Sequence, residues 1–554
     1  MRILENIILK HTLLNAIQYN GKADFKAVVG KILSEKPELK KDLKNIIPEI
    51  KKVISEVNSW SLEKQKEKLD ELGISIEKKP KEEKHELPEL PNAKVGEVVT
   101  AFPPEPSKFP HLGHAKAALI NYLYAKKYKG KFILRFEDTN PELSKKEYYD
   151  AIQDGLKWLD IEWDELDYVS DHMEQYYKNT ELLIKQGKAY VCQCKQEKIK
   201  EFRRDMKACS CRRNDIEKNL KLWEGMLSAD FRQGEATVRL KISMQHKNAL
   251  MRDPSIMRII THEHPRTGSK YRVWPMYDFG TALMDAWEGV THRVRSKEFE
   301  MRTELQQFIQ KSLGFKSPYI TEIARFNLEG VPSSGRKIRE MIQKKELLGW
   351  DDPRLTTLIA LKRRGFVPEA IKEFLISTGV SKAESTLTWD VLENFNRKVI
   401  DSKANRYFLV FDPVEIRVEN APDIIEVKEP LHPDFPERGE RRIPVNVEKI
   451  YISREDVEKY KGKTIRLIGL FNVELGERVR FHSKGVVMDM PKIQWVSEDN
   501  VLVKIIMPNG SVKEGIGEPE VKSLKVDDII QFVRVGFVRV NKTEPEIILY
   551  FTHK

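Results

Sequence analysis

The chain is predicted to be a multidomain protein, with a parallel α/β core between a helical N-terminal extension and a β-rich C-terminal part. Three observations carry this reading. Two short apolar runs, "VVTAF" and "FILRFED", flank a segment with helical apolar spacing, the order of a right-handed βαβ unit. From Met1 to about Ile76 apolar residues recur at helical spacing. Beyond Phe408 the texture changes to short β-branched runs split by turn residues. At 554 residues there is room for several domains, each with its own core.

In chain order, Ile3, Ile7, Ile8 and Leu14 set the N-terminal helical pattern, and nothing there is catalytic in type. "EKKPKEEKHELPELPNAK" is proline-broken and charge-dense, so a solvated linker is expected to end near Lys94, closing an N-terminal region over residues 1–94. After the βαβ unit, the stretch from about Pro353 to Leu392 is helical again. Pro508-Asn509-Gly510 lies between two apolar runs and marks a hairpin. It belongs to a β-barrel or sandwich expected from Tyr407 to Lys554. No fixed-period repeat is present.

Lys and Arg outnumber Asp and Glu by 96 to 85, a formal net charge of +11. That excess favours a polyanionic partner, and the dense Lys/Glu content equally suits the surface of a heat-adapted protein. No apolar run has the length of a membrane span, and "MRILENIILKHTLLNAIQ" carries Glu5 inside a helical pattern rather than an uninterrupted signal core. A cytoplasmic protein without a membrane partner is expected.

"FPHLGHAKAALIN" places His111 and His114 where strand gives way to helix. In a parallel sheet, ligands bind beyond the strand ends against helix N-termini, whose N–H groups favour phosphate. Gly113 lets a nucleotide approach the backbone closely, and two imidazoles can donate to a phosphoryl group as charge develops. The tetrapeptide alone also suits an ordinary polar helix start, but its strand–turn–helix context points to ATP. All four cysteines fall in "CQCKQEKIKEFRRDMKACSC". Cys192, Cys194, Cys209 and Cys211 form two C-x-C pairs able to offer four thiolates to one tetrahedral Zn²⁺, a closed and therefore structural site.

Longer stretches carry a resemblance. "VVTAFPPEPSKFPHLGHAKAALINYLYAKKYKGKFILRFEDTNP", "YRVWPMYDFGTALMDAWEGVTHRVRSKEFE", "RFNLEG" and "LLGWDDPRLTTLIALKRRGF" resemble the glutamyl/glutaminyl branch of class I aminoacyl-tRNA synthetases. The N-terminal helical piece resembles the extra domain of archaeal-type glutamyl enzymes. The resemblance implies a Rossmann-type catalytic domain over 95–345, with an acceptor-end-binding insertion at about 172–275 that contains the cysteines. It also implies a helical stem-contact region over 346–405 and anticodon-binding β-barrels over 406–554. The implied reaction joins glutamate to ATP, with Mg²⁺, as glutamyl-adenylate and passes it to the tRNA 3′ end. The implied partners are tRNA(Glu), with tRNA(Gln) left open, and a monomer is expected.

The same resemblance assigns residues. Glu105, Pro106, Ser107, His111, Gly113, His114, Arg325 and Ser334 would bind ATP, with Arg336 or Lys337 supplying a cation from the mobile loop "VPSSGRK". Glu137 would hold the substrate ammonium and Tyr277 line the amino-acid pocket. Arg295 falls where glutamyl enzymes carry an arginine and glutaminyl enzymes a small uncharged residue. A guanidinium fork suits a carboxylate and offers an amide no acceptor. The alternatives are a glutaminyl enzyme, which Arg295 argues against, and a catalytically inactive tRNA-binding relative. Three positions depart from the family pattern: Ala101 where an arginine is usual, Gly335 where the loop has its signature lysine, and Lys108 where a glycine precedes the histidine motif.

Overall fold

The computed structural model describes residues 2–18, 21–36, 43–72, 87–332, 334–380, 382, 385–487 and 489–554. Two compact units separate, Met1–Lys84 and His85–Lys554. The first contains helices α1 (Arg2–Gln18), α2 (Phe25–Glu35), α3 (Leu43–Asn58) and α4 (Leu62–Glu71), as the periodicity predicts. Ile8, Leu13, Val28, Ile32, Ile50, Val57 and Leu69 form its core.

Residues 73–86 of the expected linker lie outside the described residues. From Leu87 the expectation of a solvated linker is corrected: Leu90 is buried, and Leu87 and Ala93 pack with Tyr124 and Tyr128. The Tyr128 hydroxyl accepts from Leu90 N at 3.0 Å. Prolines and charges dominate that stretch, but its three apolar residues decide where it lies.

The second unit begins with β1 (Val99–Phe102), α5 (Leu112–Lys127), β2 (Lys131–Phe136), α6 (Lys146–Trp158) and β3 (Glu165–Tyr168). The three strands are parallel in the order β1-β2-β3, so the predicted βαβ unit is present. An excursion follows through α7 (Met173–Lys185), β4 (Ala189–Cys192), α8 (Gln196–Arg204), α9 (Ile216–Leu227), β5 (Thr237–Leu240), β6 (Ser255–Ile259) and β7 (Val273–Pro275). Its four strands make an antiparallel sheet. The chain returns through α10 (Tyr277–Trp287), β8 (His292–Ser296), α11 (Thr303–Ser312) and β9 (Tyr319–Ile323). Trp223 and Met226 of the excursion share one core with Leu283 of α10 and Ile309 of α11, which ties the excursion to the sheet.

β8 and β9 pair in parallel, and Thr291 N donates to Val99 O at 3.0 Å, so β8 runs beside β1. The order is therefore β3-β2-β1-β8-β9 with β1 central, and the winding reverses between β1 and β8. The crevice beyond the carboxyl ends of two such strands is where ligands bind.

Beyond the sheet come β10 (Phe326–Leu328), α12 (Gly335–Gln343), α13 (Leu358–Arg364), α14 (Pro368–Ser377), β11 (Ser385–Leu387) and α15 (Trp389–Ile400). The helical reading of this region misses β11, which pairs in parallel with β10 over three residues, too short a run to register as a pattern. Leu358, Leu361, Phe374 and Leu392 pack this region onto α5 and β2.

In the C-terminal part, β12 (Asn405–Tyr407) and β13 (Leu409–Phe411) occupy opposite edges of a seven-stranded sheet. They are halves of one segment, so the sheet returns on itself as a near-barrel. The strand period splits this segment between two cores: Tyr407 and Leu409 join Val503, Val538 and Leu549, while Phe408 and Val410 join Ile465, Phe471 and Trp495. The predicted hairpin joins Val501–Ile506 to Val512–Gly517, with Gly510 at φ +84°. Among the described residues, no helix is long and apolar enough to cross a membrane.

Candidate active site

A cavity of about 850 Å³ opens beyond β1 and β8. One wall is the turn entering α5. His111 is the N-cap residue, with extended backbone, and its Nδ1 accepts from Gly113 N at 3.0 Å. His111 N donates in turn to Nδ1 of His114 at 3.3 Å, so the two rings form a reciprocal capping box. Because backbone N–H groups occupy both Nδ1 atoms, each ring carries its proton on Nε2. The rings lie 4.0 Å apart and tilted by 30°.

Burial holds the His114 imidazole well below its usual range. Burial, then the Lys108 and Arg325 charges, lower His111 to about 3. The turn thus presents two uncharged N–H donors, suited to an anion that gains charge during reaction. A Cβ at Gly113 would stand 2.9 Å from the His111 ring, so a side chain there would have to displace the capping imidazole. Leu112 N to Thr356 O (3.1 Å) and Leu358 N to Pro110 O (2.8 Å) brace the turn from behind.

The other pole is a buried ion network. Arg135 on β2 donates to Glu288 (2.6 Å), Asp285 (3.0 Å) and Glu137 (3.3 Å). Arg293 on β8 donates to both Asp285 oxygens, at 2.5 and 2.6 Å. Thr281 Oγ1 donates to Glu137 at 2.5 Å. Burial raises the Glu137 carboxyl against the pull of Arg135 and Arg293. Two guanidiniums face three carboxylates, so the fully ionised network has one negative charge in surplus, and Glu137 lines the cavity.

Arg295 shares the strand face of Arg293 and also lines the cavity. Its donors reach only neutral acceptors: Gln306 Oε1 at 2.6 Å, Thr303 Oγ1 at 2.5 Å and Phe299 O at 3.2 Å. Its Nε is buried without a partner among the described residues. Burial and the neighbouring Arg293 both disfavour its charge. Tyr277 also lines the cavity, with its ring against Phe299 (5.5 Å) and the Arg302 guanidinium 5.2 Å away. Burial raises its phenol.

Of the other expected residues, Glu105 and Arg325 line the cavity, and Arg325 is paired with Glu298. Pro106 and Ser107 are buried but do not line it, and Ser107 O accepts from Arg339 at 2.7 Å. Ser334 caps α12. Arg336 is exposed and paired with Glu340 at 2.9 Å, Lys337 is exposed, and neither lines the cavity. Ala101 is fully buried against Ile133 and Val290, away from the cavity.

Sequence reasoning passed over Arg293, Asn140 and Arg258, all of which line the cavity. Asn140 Oδ1 and Arg258 Nε are buried without partners among the described residues. The alternation in "HRVRS" is a signal that leads from Arg295 to Arg293; Arg258 has none.

The four cysteines converge. Their sulfurs lie within 4.8 Å of one another, with Cys192–Cys209 at 3.8 Å and Cys194–Cys211 at 4.0 Å. Sulfurs about 2.3 Å from a tetrahedral Zn²⁺ stand about 3.8 Å apart, so the set fits that ion. Arg239 approaches Cys192 at 3.8 Å and Cys209 at 3.7 Å, a counter-charge for thiolates.

The family model described as "tRNA synthetases class I (E and Q), catalytic domain" matches residues 97–402. Two models described as the anti-codon binding domain of the same family match residues 404–492 and 492–541. The chain is 44% identical to the glutamate–tRNA ligase of Pyrococcus furiosus, 45% to that of Pyrococcus abyssi and 38% to that of Methanothermobacter marburgensis, in each case over 100% of both chains.

Proposed function

The chain belongs to the class I tRNA synthetase family, E and Q branch, and ligates glutamate to tRNA with ATP; we propose that Glu137 and Arg295 are the two poles on which it reads the amino acid. One observation carries this reading: Arg295 is a buried, cavity-lining guanidinium that makes no ion pair among the described residues. Glutamate brings the complement. Its ammonium meets the surplus negative charge at Glu137, its γ-carboxylate meets Arg295, and Tyr277 lines the space between. Glutamine would leave Arg295 a buried charge without a counterion, and its amide nitrogen would face a group that can only donate. The glutaminyl alternative is not favoured. An inactive relative would have no reason to keep both poles and the histidine pair.

The α-carboxylate then points toward the histidine turn, where Nε2–H of His111 and of His114 donate to phosphate oxygens of ATP. Glu105, Gly113 and Arg325 line the nucleotide's side of the cavity. Pro106 and Ser107 support that turn, and Ser334 fixes the start of α12, from which Arg336 or Lys337 would reach only by loop movement. Mg²⁺ bound with ATP would neutralise phosphate charge. Over 95–345 the order β3-β2-β1-β8-β9 supports a Rossmann-type domain. The excursion at about 172–275 would hold the acceptor end, residues 346–405 the stem, and the paired cores of 406–554 the anticodon of tRNA(Glu).

The cysteine cluster would hold one structural Zn²⁺ that staples β4 to the turn before α9. Metal analysis should find about one equivalent of zinc, and Cys209→Ser should release it and slow tRNA charging more than glutamate activation. The amino-acid reading is tested by ATP–pyrophosphate exchange run with tRNA present. Glutamate should drive exchange and glutamine should not; equal exchange with both would end it. Charging assays with purified tRNA(Glu) and tRNA(Gln) determine whether the second is a substrate.

A further inference from the structure

Two of the sequence departures, Lys108 and Gly335, meet in the structure. A Cβ built on Gly335 would stand 2.9 Å from Lys108 Cδ, 3.5 Å from its Cβ and 3.8 Å from its Cγ. The lysine stem therefore lies along the first residue of α12, and a side chain there would displace it. Gly335 is buried, and both residues line the cavity with the histidine turn.

The neighbouring cations are committed elsewhere. Arg325 pairs with Glu298, Arg339 donates to Ser107 O at 2.7 Å, and Arg336 pairs with Glu340 on an exposed face. Lys116 donates to Ala324 O at 3.4 Å. Lys108 makes no ion pair among the described residues. Its close acids are Glu105 and Glu298, and burial lowers its ammonium. A half-buried ammonium thus stands beside two neutral histidine donors with no ion pair to hold it among the described residues.

We propose that Lys108 is the cation that stabilises the leaving pyrophosphate during glutamate activation, its stem occupying the space that Gly335 leaves open. The proposal rests on the reading of the histidine turn as the ATP site. In the step itself, an α-carboxylate oxygen of glutamate bonds to the α-phosphorus. The bond from that phosphorus to the oxygen bridging to the β-phosphate breaks, and pyrophosphate departs with the electron pair. No proton has to move. Negative charge grows on the departing oxygens, and a fixed ammonium there stabilises the transition state more than the ground state.

The test is ATP–pyrophosphate exchange with glutamate and tRNA present. Lys108→Ala should lower kcat by about a hundredfold while KM for glutamate and tRNA affinity stay near wild type, and Lys108→Arg should recover much of the loss. Gly335→Lys alone should be impaired, because two stems then compete for one space. The double variant Lys108→Gly, Gly335→Lys should exceed Lys108→Gly, because the new lysine enters the vacated space. Wild-type exchange by Lys108→Ala overturns the proposal. So does a double variant no better than Lys108→Gly that still binds tRNA normally, or a loss that appears instead in Arg336→Ala or Lys337→Ala. His114→Ala run in parallel separates the two readings. If it falls and Lys108→Ala does not, only the lysine assignment fails; if neither falls, the histidine turn is not the ATP site and both fail.

Discussion

Arg293 and Arg295 sit on one face of β8, both buried, in opposite electrostatic surroundings. The floor around Arg293 and Arg135 is crowded with carboxylates, Glu137 just past β2, Asp285 on α10 and Glu288 at its end, which hold the guanidiniums from several sides. The wall around Arg295 offers an amide, a hydroxyl and a carbonyl. Neutral acceptors orient a guanidinium without cancelling its charge. The difference separates two settings of one residue type: an arginine already neutralised by its own chain can fix the fold, and one that is only oriented keeps a charge that a ligand anion could meet, as proposed for Arg295.

Breaking the floor should give the largest effect, on stability. Asp285→Ala removes the carboxylate that Arg293 holds through both oxygens and one of three acids around Arg135. Breaking a buried pair from one side costs about 3–5 kcal/mol, to be read as a lowered urea midpoint. A loss under about 1 kcal/mol would show that Glu137 and Glu288 suffice for both arginines, and the floor would no longer be special.

Breaking the wall should do the reverse. Arg295→Gln removes a buried charge that makes no ion pair among the described residues, so the unliganded protein should be as stable as wild type or slightly more so. Its kcat/KM for glutamate should fall by about a hundredfold, or about 2.7 kcal/mol, while glutamine, which never made the ion pair, loses less. The glutamate-induced rise in Tm should shrink with it. Unchanged glutamate kinetics would put the reader of the carboxylate elsewhere, with Arg293 the next candidate.

The residues that lie in family-like stretches were legible in the sequence, and the charge pairing of the floor was not. Glu137, Tyr277 and Arg295 each lie in a stretch whose residue order carries the resemblance, and the strand–turn–helix reading places the histidines without it. Asp285 lies in "ALMDAW", where one acid in a helical pattern reads as a solvated position. Its partners are 150 and 8 residues away, so no local period announces the network. Lys108 and Gly335 show the same limit, because each reads as an isolated oddity until the fold brings them into contact. The near-barrel closure depends on the two halves of Asn405–Phe411 reaching opposite sheet edges, a property of topology that alternation cannot reveal. What the sequence shows is periodicity and motif; long-range charge pairing has neither.

The smallest effect tests how the floor carries its surplus charge. Glu288 accepts from Arg135 through Oε2 at 2.6 Å, while its Oε1 is buried without a partner among the described residues. Burial raises its carboxyl to about 7 from an ordinary 4.5, Asp285 and Asp167 push the same way, and Arg135 opposes them. Between those two values the folded chain holds the proton more tightly than the unfolded chain. Stability from this group is therefore fully present below pH 4.5, is lost as pH rises toward 7, and changes little above that. Glu288→Gln cannot ionise, so wild-type stability relative to this variant should decline across the window by at most about 2.5 kcal/mol, measured as urea midpoints from pH 5 to 8. Arg295→Gln should keep the Glu288-dependent part of the slope, because Arg295 is not among the charges that set the Glu288 carboxyl. A difference between wild type and Glu288→Gln that stays flat would mean that Arg135 keeps Glu288 ionised throughout. The floor would then hold its full surplus negative charge at every pH tested, and the substrate ammonium would meet that charge undiminished at Glu137.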